Sequence, residues 1–563
     1  QNITSQTVMA VIMEINGDLI EDPFLAKDNG GEYAVYDVTT DKTMIYGWSS
    51  TLPTSPLQND RRAIDDGRPA QRRNNSFRDG SSGLRGQQRT PELGRELQLE
   101  SKDEKMADRA LESTAGPSTF HPEFLSSISD FSVIRFMDWA HTNSQQVAIW
   151  SERTTPTSVS QVNSYIRMLD IVSIEAASPT GFSGPNVIKV STATPHGLTT
   201  GQRINIENSN GEAQLSNGES VSFDVTDRMV EVHSASTFIV TLENWAWDYS
   251  ATIASTLPGN IGTVTIRFSP GVSLEHMIEL ANEARKDAWF SVPHLADDDF
   301  VRNMAALIHD TLDPSLKAYI EYSNEIWNWS PSFWQTRYAS KMAAAVGMTE
   351  GNRHLLWYGQ RARDIFGIFD DVFGVSARDR LVRVIGVQAG SGNDQLSQVG
   401  IGGADALAIA PYFGGGLNYD LYDTEYQSMR IDEILDLARA SVVADTLSRV
   451  TASYRIAEDY KVKLIAYEGG QHLGGGGSCG SEDCANLANL QAMFQEANHH
   501  PRMMGLYTNM LKAWMIGSES NAGVFAAFSH IGFDSKWGSW GVLQHQLDDK
   551  STAWKYRALV ENV

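Results

Sequence analysis

Seven short, almost wholly apolar runs recur along the chain with helical sequence between them: FSVIRFMDW, AWFSVPH, KAYIEYSNE, LVRVIGVQ, ALAIAPY, VKLIAYEGG and GVFAAFSH. A strand wetted on one face alternates apolar and polar residues. Runs that are apolar throughout must be covered on both faces, as in a parallel sheet flanked by helices. The intervening sequence fits that arrangement. SLEHMIELANEARKD sets Leu274, Met277, Ile278 and Ala281 at helical spacing behind a capping Ser273, and VRNMAALIHDTL reads as another helix. The pattern predicts an α/β fold, with these runs as strands two to eight of a (β/α)8 TIM-type barrel. The first strand has two candidates, VMAVIMEI and ELQLE, and the pattern does not choose between them.

A chain of 563 residues is longer than one compact domain usually is. Residues 1–54 read as a β-rich N-terminal region, with VMAVIMEI, EYAVYDV and TMIYGW separated by turn residues. Residues 55–119 read as a linker or wrap. There Arg61, Arg62, Arg68, Arg72, Arg73, Arg78 and Arg85 stand among Gly, Ser, Asn and Gln, with little apolar surface to offset ordering entropy. Residues 181–268 form a run of short strands and turns (NVIKVST, QRINIEN, SVSFDVT, STFIVTL, TVTIRF), which predicts a small β-domain inserted in the barrel. A change of character is already visible near Ser173. The barrel then comprises 120–180 and 269–563. Trp245 and Trp247 in the insertion read equally as a sugar platform or as packing.

The net charge of −24 argues against nucleic acid and anionic membranes as partners. No apolar run reaches the roughly eighteen residues needed to span a bilayer, and Val8–Ile15 lacks the marks of a signal peptide. A start at Gln1 is expected of a processed or trimmed terminus. Cys479 and Cys484 could close a small loop or remain thiols, but two cysteines alone cannot build a structural zinc site. Sequons occur at Asn2, Asn74 and Asn328, and they permit glycosylation without showing it. Asp297-Asp298-Asp299 invites a calcium reading, yet a helix N-terminus before FVRNMAALI explains it better, so no metal or other cofactor is assigned.

Polar residues gather where the predicted strands end: Arg135 and Asp138 after the second, His294 after the third, Asn324 and Glu325 after the fourth. Tyr412 follows the sixth, Glu468 the seventh, and Ser529 and His530 the eighth. That end of such a barrel is where loops converge on one mouth. Carboxylates on strands four and seven can face each other there, and retaining glycoside hydrolysis needs two about 5–5.5 Å apart. One must hold a proton and the other a charge. Arg135 and Tyr412 are suited to keeping Glu468 ionised, while Tyr322, Ile326 and Trp327 give Glu325 apolar surroundings. Each residue also has a structural reading. The two glutamates could sit in buried ion pairs, Arg135 could simply pair with Asp138, His294 could be a satisfied loop histidine, and Tyr412 could be core. By alternation Glu321 shares a nominal side with Glu325, opposite Tyr322 and Asn324.

EYSNEIWNWS together with AYEGGQHL resembles the clan A retaining glycoside hydrolases, in particular a bacterial group with YSNE-W-N and YEGGQ motifs similar to family 5 endoglycanases. The likeness runs from FHPEFL at His121 to about Trp554, interrupted by the insertion. It implies Glu325 as acid/base, Glu468 as nucleophile and Asn324 against the substrate 2-hydroxyl. Arg135 and His294 match the clan's basic residues after strands two and three. Tyr412 matches its nucleophile-binding tyrosine, and Trp537 or Trp540 in SKWGSWG its aromatic floor, with core packing as the other reading of the two tryptophans. The expectation is a secreted hydrolase of β-linked glycans. The alternative is a carbohydrate-binding or structural protein that has kept the barrel without turnover. A lyase or phosphate-handling barrel lacks a motif, since GGGG at 474–477 precedes no phosphate-binding helix.

Overall fold

The computed structural model describes residues 118–161, 165–183, 186–216, 218–242, 253–257, 262–417, 429–474, 484–535 and 537–562, with four short strands upstream at 10–13, 25–27, 32–37 and 42–47. ELQLE, the arginine-bearing segment, Trp245, Trp247, Cys479, Asn2 and Asn74 lie outside the described residues. The chain divides into two compact units. In one, Leu25–Lys27, Glu32–Asp37 and Lys42–Gly47 pair antiparallel in a three-stranded sheet.

The other unit holds a closed ring of eight strands: β1 (Ala10–Met13), β2 (Val133–Arg135), β3 (Asp287–Val292), β4 (Ala318–Tyr322), β5 (Leu381–Gly386), β6 (Ala406–Ile409), β7 (Lys463–Ala466) and β8 (Phe525–Phe528). From β2 to β8 every neighbouring pair is parallel, as in a TIM-type barrel. The expectation of eight parallel strands is corrected at β1, which lies antiparallel to both β8 and β2. An apolar run looks the same read in either direction, so its sequence carries no signal for orientation.

Both faces of the parallel strands are buried, for different partners. Val133, Trp289, Tyr319, Val384, Ile465 and Tyr467 point into the barrel and pack together. Their neighbours point outward to the helices. Tyr322, for instance, stacks on Tyr358 of a helix spanning Arg353–Phe373, with ring centroids 5.9 Å apart. The helix α1 (Leu274–Ala284) starts at Ser273, whose side chain accepts the His276 N–H. In α2 (Asp298–Thr311), Asp297 caps the start by accepting the Phe300 N–H at 2.7 Å. Such a cap contributes about 1 kcal/mol. No helix among the described residues is long and apolar enough to cross a membrane.

Between β2 and α1 the chain builds a second closed barrel, of six antiparallel strands. These are Tyr165–Ala176, Val187–Thr192, Arg203–Glu207, Val225–Ser234, Thr237–Thr241 and Thr263–Phe268. Their inward residues, among them Ile171, Ile188, Val190, Ile204, Phe238 and Ile266, form a core of their own. The first strand begins at Tyr165, upstream of Gly181, and pairs with both Val187–Thr192 and Thr263–Phe268. Its opening residues alternate weakly, with Tyr165, Ile166 and Met168 exposed, which is why they carry little strand signal.

Candidate active site

Arg135 is the hub of the mouth. It shares the inward side of β2 with Val133, two residues earlier, and is wholly buried. Its Nε and Nη2 donate to Glu321 Oε2 at 3.2 and 2.8 Å. Its Nη1 donates to Glu468 Oε1 at 3.1 Å, and Nη2 also to Asn324 Oδ1 at 2.9 Å. The guanidinium lies between the rings of Trp289 and Tyr467, 5.3 and 5.1 Å from their centroids. Burial alone would lower the proton affinity of Arg135, but Glu321 and then Glu468 raise it further, so it stays charged.

Glu468, just past β7, accepts a second bond from the Tyr412 hydroxyl at 3.0 Å. Glu325 has a different set of donors: Tyr467 Oη at 2.9 Å on Oε1 and Asn328 Nδ2 at 2.8 Å on Oε2. Burial first, and then the charge of Glu325, push Glu468 up to about 8, with Arg135 and Tyr412 pulling the other way. Burial raises Glu325 as well. Both tyrosines are raised far above the ordinary phenol range, by burial and by the adjacent carboxylates, and therefore remain donors. Because the charge of Glu325 raises Glu468, the two carboxyls titrate as a pair, and the proton held up to about 8 is one they share.

The end of β4 needs an irregular backbone to supply this site. Alternation sends Tyr319 and Glu321 inward and Tyr322 outward, and would carry Asn324 outward too. Ser323 and Glu325 instead adopt left-handed conformations, φ 62° and 44°, and Asn324 turns in to meet Arg135. Asn324 is then fixed from behind. Its Nδ2 donates to Asn143 Oδ1 at 3.1 Å. Gln335 Nε2 donates to the same oxygen and to the Asn324 carbonyl, both at 2.8 Å.

The remaining sequence-derived residues are placed differently. Asp138 stands beside Arg135 but is not its ion-pair partner, a place Glu321 takes; burial raises Asp138 to about 6 against the pull of Arg135. His294 joins none of these bonds. Its ring lies edge-on to Tyr338 at 5.6 Å, and burial followed by the charge of Arg203 lowers it to about 3, so it is neutral. Trp540 packs against Tyr412, His472 and Phe528, whereas Trp537 is 54 % exposed. Sequence reasoning missed Trp289, whose indole donates to Glu321 Oε2 at 3.0 Å, as well as Asn143, Gln335 and Tyr467. Asn328 was visible as a glycosylation sequon and as the last residue of the YSNE-W-N motif, with no role attached, and its amide is bonded to Glu325.

Gly386 at the end of β5 leaves room for Glu321. A Cβ there would stand 2.5 Å from the Glu321 carboxyl oxygen. Gly386→Ala is expected to cost about 1–3 kcal/mol by overpacking and to lower turnover by displacing Arg135. Urea unfolding and kcat measured on the same sample check this, and a variant equal to wild type in both would show that the carboxyl has space to move.

No protein-family model matches the chain, and no curated protein matches it. Among solved structures, one reported with two fungal β-1,4-galactanases aligns at 10% identity over 51% of this chain and 82% of its own, with a TM-score of 0.27. A GH53 catalytic domain from Ignisphaera aggregans aligns at 11% identity over 51% and 79%, with a TM-score of 0.26. Likeness at these scores decides neither fold nor chemistry, which rest on the residues described above.

Proposed function

We propose that the chain is a retaining glycoside hydrolase acting on β-linked polysaccharide or oligosaccharide. The observation that carries this reading is the unequal donor sets of two glutamates held in one electrostatic cluster. Glu468 faces a guanidinium and a phenol, Glu325 only neutral donors. Of the two ways to place the shared proton, the one that leaves the charge on Glu468 is favoured by the Arg135 and Tyr412 donors, and it is the form that double displacement uses, with Glu325 as the acid. In the first step a Glu468 oxygen attacks the anomeric carbon, the glycosidic bond breaks, and Glu325 passes its proton to the departing oxygen. In the second, Glu325 takes a proton from water, whose oxygen displaces Glu468 from the anomeric carbon. Arg135 and Tyr412 keep Glu468 ionised and oriented. Asn324, held between Arg135 and Asn143, meets the 2-hydroxyl, and Trp540 walls the sugar site.

The pH dependence follows from the same pair. The active form carries one proton, so kcat/KM is expected to fall on the alkaline side near pH 8, where that proton is lost. It falls again on the acid side when the second carboxyl is protonated, above the ordinary carboxylate range because burial raises both groups. Rates on a 4-nitrophenyl β-glycoside from pH 4 to 10 check this; a profile flat through pH 8–9 would sink the shared-proton assignment. The function itself is tested by panels of aryl β-glycosides and β-glycans, with the anomeric form of the first product read by NMR. Retention is expected. Inverted product would overturn double displacement, and binding without cleavage would leave a carbohydrate-binding scaffold.

A further inference from the structure

One side chain of the six-stranded inserted barrel reaches residues next to those that support the mouth. Arg203 opens the strand Arg203–Glu207 and is 9% exposed. Its Nη1 pairs with Asp227 at 3.1 Å inside the insertion, while Nη2 donates out of it to the Ser144 carbonyl at 2.9 Å. The guanidinium also lies over Trp334, 4.9 Å from the ring centroid, at the start of helix α3 (Trp334–Ala345). Ser144 follows Asn143, and Trp334 precedes Gln335. Those two neighbours are the residues that hold Asn324 from behind.

A second clamp supports the first. The Arg203 N–H donates to Gln146 Oε1, and Gln146 Nε2 donates to the Arg267 carbonyl at 2.6 Å. Gln202 Nε2 donates to the Gln146 carbonyl at 2.8 Å and to Glu152 at 3.1 Å. The backbone itself comes close. Gly201, at φ +97°, sits where a Cβ would meet Tyr338 at 2.5 Å and Leu295 at 2.7 Å. The segment that carries Asn143 is thus held by the insertion at Ser144, Gln146 and Glu152.

We propose that Arg203 is a positioning residue: the inserted barrel uses its guanidinium to hold Asn143 and Gln335, and through them sets Asn324 for the substrate 2-hydroxyl. This rests on the glycosidase reading above. Hydrogen bonds to the 2-hydroxyl strengthen in the transition state, and a misplacement of about 1 Å in a positioning group costs on the order of 100-fold. The effect belongs in kcat more than in KM.

The test compares wild type, Arg203→Gln and Arg203→Lys on 4-nitrophenyl β-glycosides and on their 2-deoxy counterparts. On the 2-hydroxy substrate, Arg203→Gln is expected to lower kcat by about 10–100-fold with KM little changed, and Arg203→Lys by less. On the 2-deoxy substrate, which has no hydroxyl for Asn324 to meet, the variants should stay within about twofold of wild type. Equal losses on both substrates, or no loss on either, would overturn the proposal. Hydrogen–deuterium exchange gives a readout that does not depend on turnover. Arg203→Gln should speed exchange in 141–146 and 324–328 and leave 406–409 unchanged, whereas unaltered exchange at 324–328 would also overturn it. If wild type turns over no aryl glycoside, the glycosidase reading fails, and the exchange data still decide whether Arg203 holds Asn324.

Discussion

Glu468→Ala is expected to lower kcat on every glycoside by roughly 10⁵-fold or more, the scale seen when a covalent nucleophile is removed. Azide should then restore turnover, with the glycosyl azide formed in the inverted configuration, because a small anion can occupy the space the carboxylate leaves. Glu325→Ala should behave differently. Aryl glycosides with good leaving groups need little protonation, so the glycosyl-enzyme should still form and accumulate as a burst. Azide should rescue its breakdown with retained configuration. The same rescue pattern for both variants, or residual activity in Glu468→Ala above roughly 1 % without azide, would remove the assignment of roles.

The stability of the wild-type protein should vary with pH in a defined direction. Burial raises both carboxyls, so the folded state binds the pair's proton more tightly than the unfolded chain does. The resulting stability is fully present below the ordinary carboxylate values and is lost as pH rises toward and through about 8. Glu468→Gln cannot ionise and escapes that loss. The difference in Tm between Glu468→Gln and wild type should therefore move in favour of the variant from pH 5 to pH 8.5. A difference constant across that window would contradict the shared proton.

Arg135→Met is expected to carry the largest stability cost of any single substitution at the site, about 3–5 kcal/mol near pH 7. It leaves Glu321, 1% exposed, with the Trp289 indole but without its counter-charge. Glu321, already raised by burial, is then held down less and takes up a proton, so the cost should shrink as the pH falls. Adding Glu321→Met to Arg135→Met should recover most of the stability, since replacing both partners of a buried pair by apolar groups is close to neutral. Activity should not return, because Glu468 still lacks its guanidinium. Urea unfolding at pH 5 and pH 7 with kcat on the same samples checks all three points. A single variant within about 1 kcal/mol of wild type at pH 7 would show that Arg135 is not the hub.

Local chemistry determined a good deal of this. Apolar runs of strand length separated by amphipathic helices can bury both faces in few ways, so the seven parallel strands were legible, and with them the positions just past their ends. Glu325, Glu468, Arg135, Asn324 and Tyr412 stand at those positions; hydrogen bonds join the last four, and Glu325 is bonded to Tyr467, whose ring lies against the Arg135 guanidinium. Caps at Ser273 and Asp297 were equally local. What only the tertiary structure decided depends on chain closure. Arg135 and Glu321 are 186 positions apart, and nothing near either one marks the other as its partner. Asn324 points inward only because Ser323 and Glu325 leave the alternating backbone. The direction of β1, the start of the inserted barrel at Tyr165 and the reach of Arg203 to Ser144 likewise follow from how distant segments pack. Periodicity records which residues avoid water; which of them meet is set when the barrel closes.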